Sequence, residues 1–308
     1  MSKLIKNFVL LLVLSLLVFS GCAEKTNVTK DNTSNNKKIT VYTSFYAMYD
    51  FTKKIGGDKI NLINLVPAGT EPHDWEPTPR EIANLEKADV LIYNGAGFES
   101  WVSKVLVSLN NEKLITVETS KGLKLLDNKD KDPKLKYDPH VWLNPRLAKI
   151  QMEVIKNTLV KADPINKDFY EKNYTDNARK IDDLDNEYKT TLSKLEKRDM
   201  IVAHQAFGYI CDAYGLKQVA IEGLNADAEP TPERMAEIVK FAKRNNVKYI
   251  FFEDLISPKV ADTIAREIGA KTQSLNPLEG LKDVDIKSGK DYFSVMKDNL
   301  VVLKKALE

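Results

Sequence analysis

The chain has 308 residues, 46 of them basic and 44 acidic, with three histidines and two cysteines. The charges nearly cancel and no run of like charge stands out, which excludes the basic stripe that grips nucleic acid and any charged binding tail. Two cysteines cannot supply a disulfide framework, so stability has to come from a core, and the length suffices for two domains.

Lys3 and Lys6 precede an apolar run from Phe8 to Phe19, followed by Ser20-Gly21-Cys22 and an abrupt change to polar sequence. The run is clearly shorter than the roughly 20 apolar residues of a spanning helix, so residues 1–21 read as a cleaved secretory signal. Small residues directly ahead of Cys22 resemble a bacterial lipobox, in which that cysteine is acylated and becomes the mature N-terminus; Phe19 stands where the pattern usually has leucine. Cleavage there removes Lys3 and Lys6 and no acid, leaving 44 basic against 44 acidic residues. It also leaves Cys211 alone, which excludes an intramolecular disulfide despite the oxidising location. The expected product is extracytoplasmic and lipid-anchored to the cell membrane. Residues 22–38 are rich in Lys, Asn, Thr and Ser and read as a flexible tether.

Beyond the tether, short β-branched or apolar runs alternate with helical patterns. Ile39 to Phe45, Asn61 to Pro67, Asp89 to Asn94 and Lys113 to Glu118 read as parallel strands of an N-terminal lobe over 39–164. Met200 to His204, Gln218 to Glu222, Lys248 to Glu253 and Thr272 to Leu275 repeat the pattern in a C-terminal lobe over 198–308. Helix starts are marked by Thr78-Pro79, Asn144-Pro145, Thr231-Pro232 and Ser257-Pro258, each a capping side chain before a proline at the first helical position. Glu81 completes a capping box with Thr78, and Gly269 is placed to end the helix that Ser257 opens. Between the lobes, Tyr170, Tyr174, Ile181, Leu184, Tyr188, Leu192 and Leu195 recur at three- and four-residue steps, which predicts one long amphipathic linking helix over 165–197. The fold class is therefore α/β, with two parallel-sheet lobes joined by one long helix, and a helical crossover of this kind resists wide hinge motion.

All three histidines fall at or beyond the carboxyl ends of predicted strands: His73 just after the second, His140 after the fourth, and His204 at the end of the first strand of the second lobe. Open α/β sheets bind their ligands at that edge. Taken singly, His73 and His140 read as solvated loop histidines and His204 as a core histidine. Together they supply three of the four donors of a tetrahedral site, and imidazole suits zinc, copper, iron and nickel. A carboxylate of the second lobe would complete the set. Glu279, after the last strand, is best placed, but spacing leaves Glu222, Asp227, Glu229, Glu253 and Asp254 open as rivals. Gly95 and Gly97 lack the third glycine of a dinucleotide fingerprint. Trp75, Trp101, Trp142 and Cys211 read as packing residues.

Four stretches then carry a resemblance: Gly69-Thr70-Glu71-Pro72-His73-Asp74-Trp75-Glu76-Pro77, Asn94-Gly95 to Glu99-Ser100-Trp101, Asp138-Pro139-His140-Val141-Trp142-Leu143, and His204-Gln205-Ala206-Phe207-Gly208-Tyr209. In this order and spacing they resemble the metal-binding receptors of bacterial zinc and manganese ABC transporters, from Ile39 to the C-terminus. The resemblance implies two α/β lobes with a metal between them, bound by His73, His140 and His204 with Glu279 as the matching carboxylate. It also implies a partner, the membrane permease of an ABC importer, and an expected monomeric state. Manganese receptors of this kind carry a carboxylate in place of the third histidine; this chain has His204, and three imidazoles with one carboxylate favour Zn2+ over the more oxygen-loving manganese. The charged segment from Asp127 to Tyr137 has no histidine, so the auxiliary metal-collecting loop of some zinc receptors is not expected. Three rivals remain: a manganese receptor of the same kind; a zinc hydrolase, for which the chain offers no HExxH helix; and a lipid-anchored adhesin with a structural metal, which would unfold when stripped.

Overall fold

The computed structural model describes residues 37–128, 135–224 and 230–308. The signal, Cys22 and most of the tether lie outside the described residues. Four runs in the first half form a parallel sheet from β1 (Thr40–Thr43), β2 (Asn61–Asn64), β3 (Val90–Tyr93) and β4 (Ile115–Glu118), in the order β2-β1-β3-β4. The second half repeats it with β5 (Asp199–Val202), β6 (Lys217–Ala220), β7 (Tyr249–Phe252) and β8 (Lys271–Ser274), in the order β6-β5-β7-β8. All pairings among these eight strands are parallel. The strands are shorter than their apolar runs suggest because the backbone turns away early: Phe45 already precedes helix α1 (Tyr46–Gly56).

Local chemistry accounts for most of the remaining elements. Helix α2 (Pro79–Leu85) opens with the Thr78–Glu81 capping box, both of whose bonds form. Short helix α3 (Val102–Ser108) follows. Helix α4 (Pro145–Ala162) is capped by the Asn144 side chain, which accepts from the Arg146 N–H at 3.0 Å. A single 3-10 turn at Pro164–Asn166 separates it from the long linking helix α5 (Lys167–Leu192), which starts two residues later and stops five residues earlier than the span 165–197 read from its apolar stripe. Arg146 pairs with Asp185 and Lys149 with Asp182, so α4 and α5 run antiparallel. Then come α6 (Gly208–Tyr214), α7 (Pro232–Arg244), capped by Thr231, and α8 (Lys259–Ile268). The cap read at Ser257 does not form: α8 starts one residue later than expected, after Pro258, and has no side-chain cap, although Gly269 ends it in the left-handed conformation. The last helices are α9 (Asp283–Lys287) and α10 (Tyr292–Leu307).

One core cluster runs through both halves. It joins Phe45, Met48, Phe51 and Ile55 of the first lobe to Tyr170, Ile181, Leu184 and Tyr188 of α5 and to Tyr292, Met296 and Leu303 of α10. Smaller clusters cover the outer face of each sheet. Cys211 is buried in the main core. Helix α10 returns across the molecule: the Tyr188 hydroxyl donates to the Met296 carbonyl at 2.6 Å, and the Tyr292 N–H donates to buried Asp50 on α1. Lys54 bridges Asp50 and Asp291 at 2.9 and 2.8 Å, tying the first helix to the last. Among the described residues no helix is long and apolar enough to cross a membrane.

Asp50 is buried while Lys54 and Asp291 are partly exposed, so removing Lys54 leaves one buried carboxylate uncompensated. Lys54→Met is therefore expected to cost about 3 kcal/mol in urea unfolding; a loss under about 1 kcal/mol would be that of a surface pair and would reduce the triad to a minor contact.

Candidate metal centre

His73 sits in the irregular segment between β2 and α2, His140 begins a 3-10 turn just before α4, and His204 follows β5 by two residues. Glu279 lies on the turn after β8. These four are the residues that the fold brings together. Glu279 Oε1 lies 3.3 Å from His73 Nε2, 2.9 Å from His140 Nε2 and 3.3 Å from His204 Nε2. The His140 and His204 Nε2 atoms are 3.4 Å apart, and all four donor atoms lie within 4.8 Å of one another. A tetrahedral ion with nitrogen and oxygen donors at about 2.0–2.1 Å holds those donors about 3.3–3.4 Å apart, so three of these four spacings already match it. Of the rival carboxylates, Glu222, Glu253 and Asp254 are not in this group, and Asp227 and Glu229 lie outside the described residues.

Glu253 has a different place. It directly follows β7, which pairs with β5, and accepts from His204 Nδ1 at 2.5 Å. Asp138 does the same for His140, taking its Nδ1–H at 2.8 Å and its backbone N–H at 3.0 Å. A carboxylate on Nδ1 fixes the tautomer and turns the Nε2 lone pair toward the centre. Sequence reasoning missed Asp138 in this role, although an aspartate two residues before a histidine is a signal for it. His73 is steadied instead by Phe98, whose ring packs against it edge-on at 4.7 Å.

The electrostatics follow from burial opposed by neighbours. Desolvation is the largest influence on both His140 and His204 and disfavours their charge. The facing carboxylates outweigh it, Asp138 and Glu279 raising His140, and Glu253 and Glu279 lifting His204 well above the ordinary imidazole value. His73 meets only Glu279, and burial pushes it down. Burial also works to raise Glu279, but the imidazoles around it, His73 foremost, hold its carboxyl well below the usual carboxylate range.

Comparison with known proteins identifies the family. Residues 41–306 match the family model described as ZnuA, zinc-uptake complex component A, periplasmic. The chain belongs to this family. It is 44% identical over 284 residues to the high-affinity zinc uptake system protein ZnuA of Bacillus subtilis, covering 89% of each chain. The zinc-binding lipoprotein AdcA of Streptococcus pneumoniae is 37% identical over 305 residues, which is 96% of this chain and 61% of that longer protein. Among solved structures, the Zn(II)-bound ZnuA-like domain of Streptococcus pneumoniae AdcA superposes with a TM-score of 0.78 at 40% identity, covering 88% of this chain and 99% of that one. The fold of this family is thus the two-lobed α/β arrangement described above.

Protons and metal ions compete for the same Nε2 lone pairs. Because His140 and His204 keep their protons to a higher pH than a free imidazole, metal affinity is expected to climb through that raised range, level off above it and fall on acidification. Asp138→Asn withdraws the charge that helps raise His140, so the climb moves to lower pH while the plateau drops about tenfold or more. Calorimetric affinities from about pH 5.5 to 8.5, spanning the histidine range, check both; a pH-independent affinity would contradict the competition.

Proposed function

We propose that the chain captures Zn2+ outside the cell membrane through the Nε2 atoms of His73, His140 and His204 and the carboxylate of Glu279, and delivers it to the membrane permease of an ABC-type importer. The observation that carries this reading is the convergence of three imidazole nitrogens on one buried carboxylate oxygen at near-tetrahedral spacing. Three imidazoles and one carboxylate suit a borderline-soft ion; manganese prefers a site richer in oxygen. Membership of the family makes the chain a component of zinc uptake and not an enzyme. The relatives named as zinc-binding lipoproteins support zinc as the cargo and a lipid on Cys22 as the anchor.

The same proposal assigns residues 1–21 to the signal, 22–38 to the tether, 39–164 and 198–308 to the lobes and 165–197 to the linking helix, in a monomer. His73 and His140 then come from one lobe and His204 and Glu279 from the other. A permease that draws the lobes slightly apart separates the donor pairs and weakens binding without chemistry.

Titration of the purified, metal-stripped chain with zinc and manganese by calorimetry is the test. The expected result is one tight zinc site, weak manganese binding and a folded chain without metal. His204→Ala should weaken zinc by at least about a hundredfold, as expected for loss of one of four donors; undiminished affinity in that variant would remove His204 from the set, and absence of tight binding by the parent chain would overturn the reading.

A further inference from the structure

Glu279 reaches the centre from a turn with a demanding backbone. The turn runs Leu275-Asn276-Pro277-Leu278-Glu279, and Leu278, fully buried, stands at φ +60°, a left-handed conformation that a branched side chain seldom adopts. Such a conformation persists only where its surroundings over-determine it. Here they do so bond by bond. The Leu275 N–H continues the ladder to the Phe252 carbonyl at 2.9 Å. Asn299, on α10 and 3% exposed, holds Asn276 from both sides: its Oδ1 accepts the Asn276 N–H at 2.9 Å and its Nδ2 donates to the Asn276 carbonyl at 2.7 Å. The Asn276 side chain in turn accepts the Leu278 N–H at 2.7 Å, and Trp142 Nε1 donates to the Pro277 carbonyl at 2.7 Å.

We infer that Asn299 is a positioning residue for the metal centre, clamping the Asn276 backbone so that the strained turn delivers the Glu279 carboxylate to the three imidazoles. The inference rests on the reading of Glu279 as the fourth zinc donor. The carboxamide is suited to the task because it offers one acceptor and one donor in a fixed plane, which matches the N–H and C=O of a single residue. An aliphatic side chain of similar size fills the space but provides neither bond. Released from the clamp, the turn can relax away from the left-handed conformation, and the carboxylate that should meet the ion is no longer pre-placed. The three histidines, held by other elements, would stay where they are. Asn299 has hydrogen bonds to Asn276 and to none of the four donors, so its proposed effect is routed through Glu279.

This makes the test a double-mutant cycle on the full chain, read by zinc affinity in competition with a chromophoric chelator and by unfolding of the metal-stripped protein. Asn299→Leu is expected to weaken zinc about tenfold or more, the usual size for a group that orients a metal ligand. In a Glu279→Ala background it should weaken zinc less than about twofold, because the carboxylate it positions is gone. Asn276→Ala removes the bond to Leu278 without entering the core, should fold if Asn299→Leu does not, and is expected to follow the same pattern. An equal penalty with and without Glu279 would make Asn299 a general stabiliser and overturn the inference, as would full zinc affinity in both Asn299→Leu and Asn276→Ala. If Glu279→Ala itself binds zinc as tightly as the parent, the assignment of Glu279 fails and this inference with it; if Glu279→Ala is weakened and the turn variants are not, only the inference fails.

Discussion

Six ionisable side chains are buried together at the heart of this molecule, three imidazoles and three carboxylates, and the rest of the structure is arranged around keeping them there. Burying a lone charge is costly, and a buried group of this kind is tolerated only when every member faces a partner of opposite character. That condition is met: Asp138 faces His140, Glu253 faces His204, and Glu279 faces all three rings. With the imidazoles neutral and the carboxylates ionised, the group carries three negative charges. A dication at its centre offsets two of them, and protons on the rings do the same job at lower pH. Affinity for a divalent ion and sensitivity to acid are thus two aspects of one charge balance.

The two halves solve the placement problem differently although their sheets share one topology. In each, strand order reverses between the first and third strands, β1 and β3 in one sheet, β5 and β7 in the other, which opens a crevice at the carboxyl edge. The second half puts chemistry directly into that crevice, with His204 after β5 and Glu253 after β7. The first half fills its crevice with Glu99, whose buried carboxyl accepts from the Ser44 hydroxyl and from the Asn94 and Gly95 N–H groups. Burial raises the Glu99 pKa against those bonds, and its role is to hold the loops after β1 and β3 together. The imidazoles of this half come instead from segments following the outer strands β2 and β4. One half therefore offers a rigid wall, and the other offers longer loops braced from behind.

What could be read from the residues alone divides along the range of the forces involved. The caps at Thr78, Asn144 and Thr231 are local hydrogen bonds within a few residues, and each forms as its side chain and proline indicate. Ser257 carries the same signal, yet Pro258 falls outside the helix and no side-chain cap forms. The histidines were legible because strand ends in an α/β sheet define a common edge. The carboxylates were not, since Glu253 and Glu279 both follow strands of the second half and differ only in how far the chain travels afterwards. Glu253 stops at the crevice and can reach only the outer nitrogen of His204. Glu279 is carried five residues beyond β8, over the shared edge, to the inner nitrogens. Asn299 gave no signal at all: an asparagine in an amphipathic helix looks like any other until the turn it holds is seen beside it.

Several hydrogen bonds cross between the halves close to the centre, and together they limit how the halves can move. Trp142, two residues after His140, donates to Pro277, two residues before Glu279, and accepts through its carbonyl from the Tyr292 hydroxyl. The Tyr209 hydroxyl donates to the Asp138 carbonyl, and the Gly69 N–H donates to the Leu281 carbonyl. With a common apolar core and the long helix α5 behind them, large domain rotations would have to break this whole set at once. Release of an ion does not require them. Metal–ligand distances tolerate only about 0.2 Å, so with the proposed ligand set a displacement of about 1 Å between the two donor pairs would be enough to abolish four-coordination. On the proposed reading, a fold this tightly stitched would hold the ion firmly in isolation and still give it up under a small, directed strain across the centre.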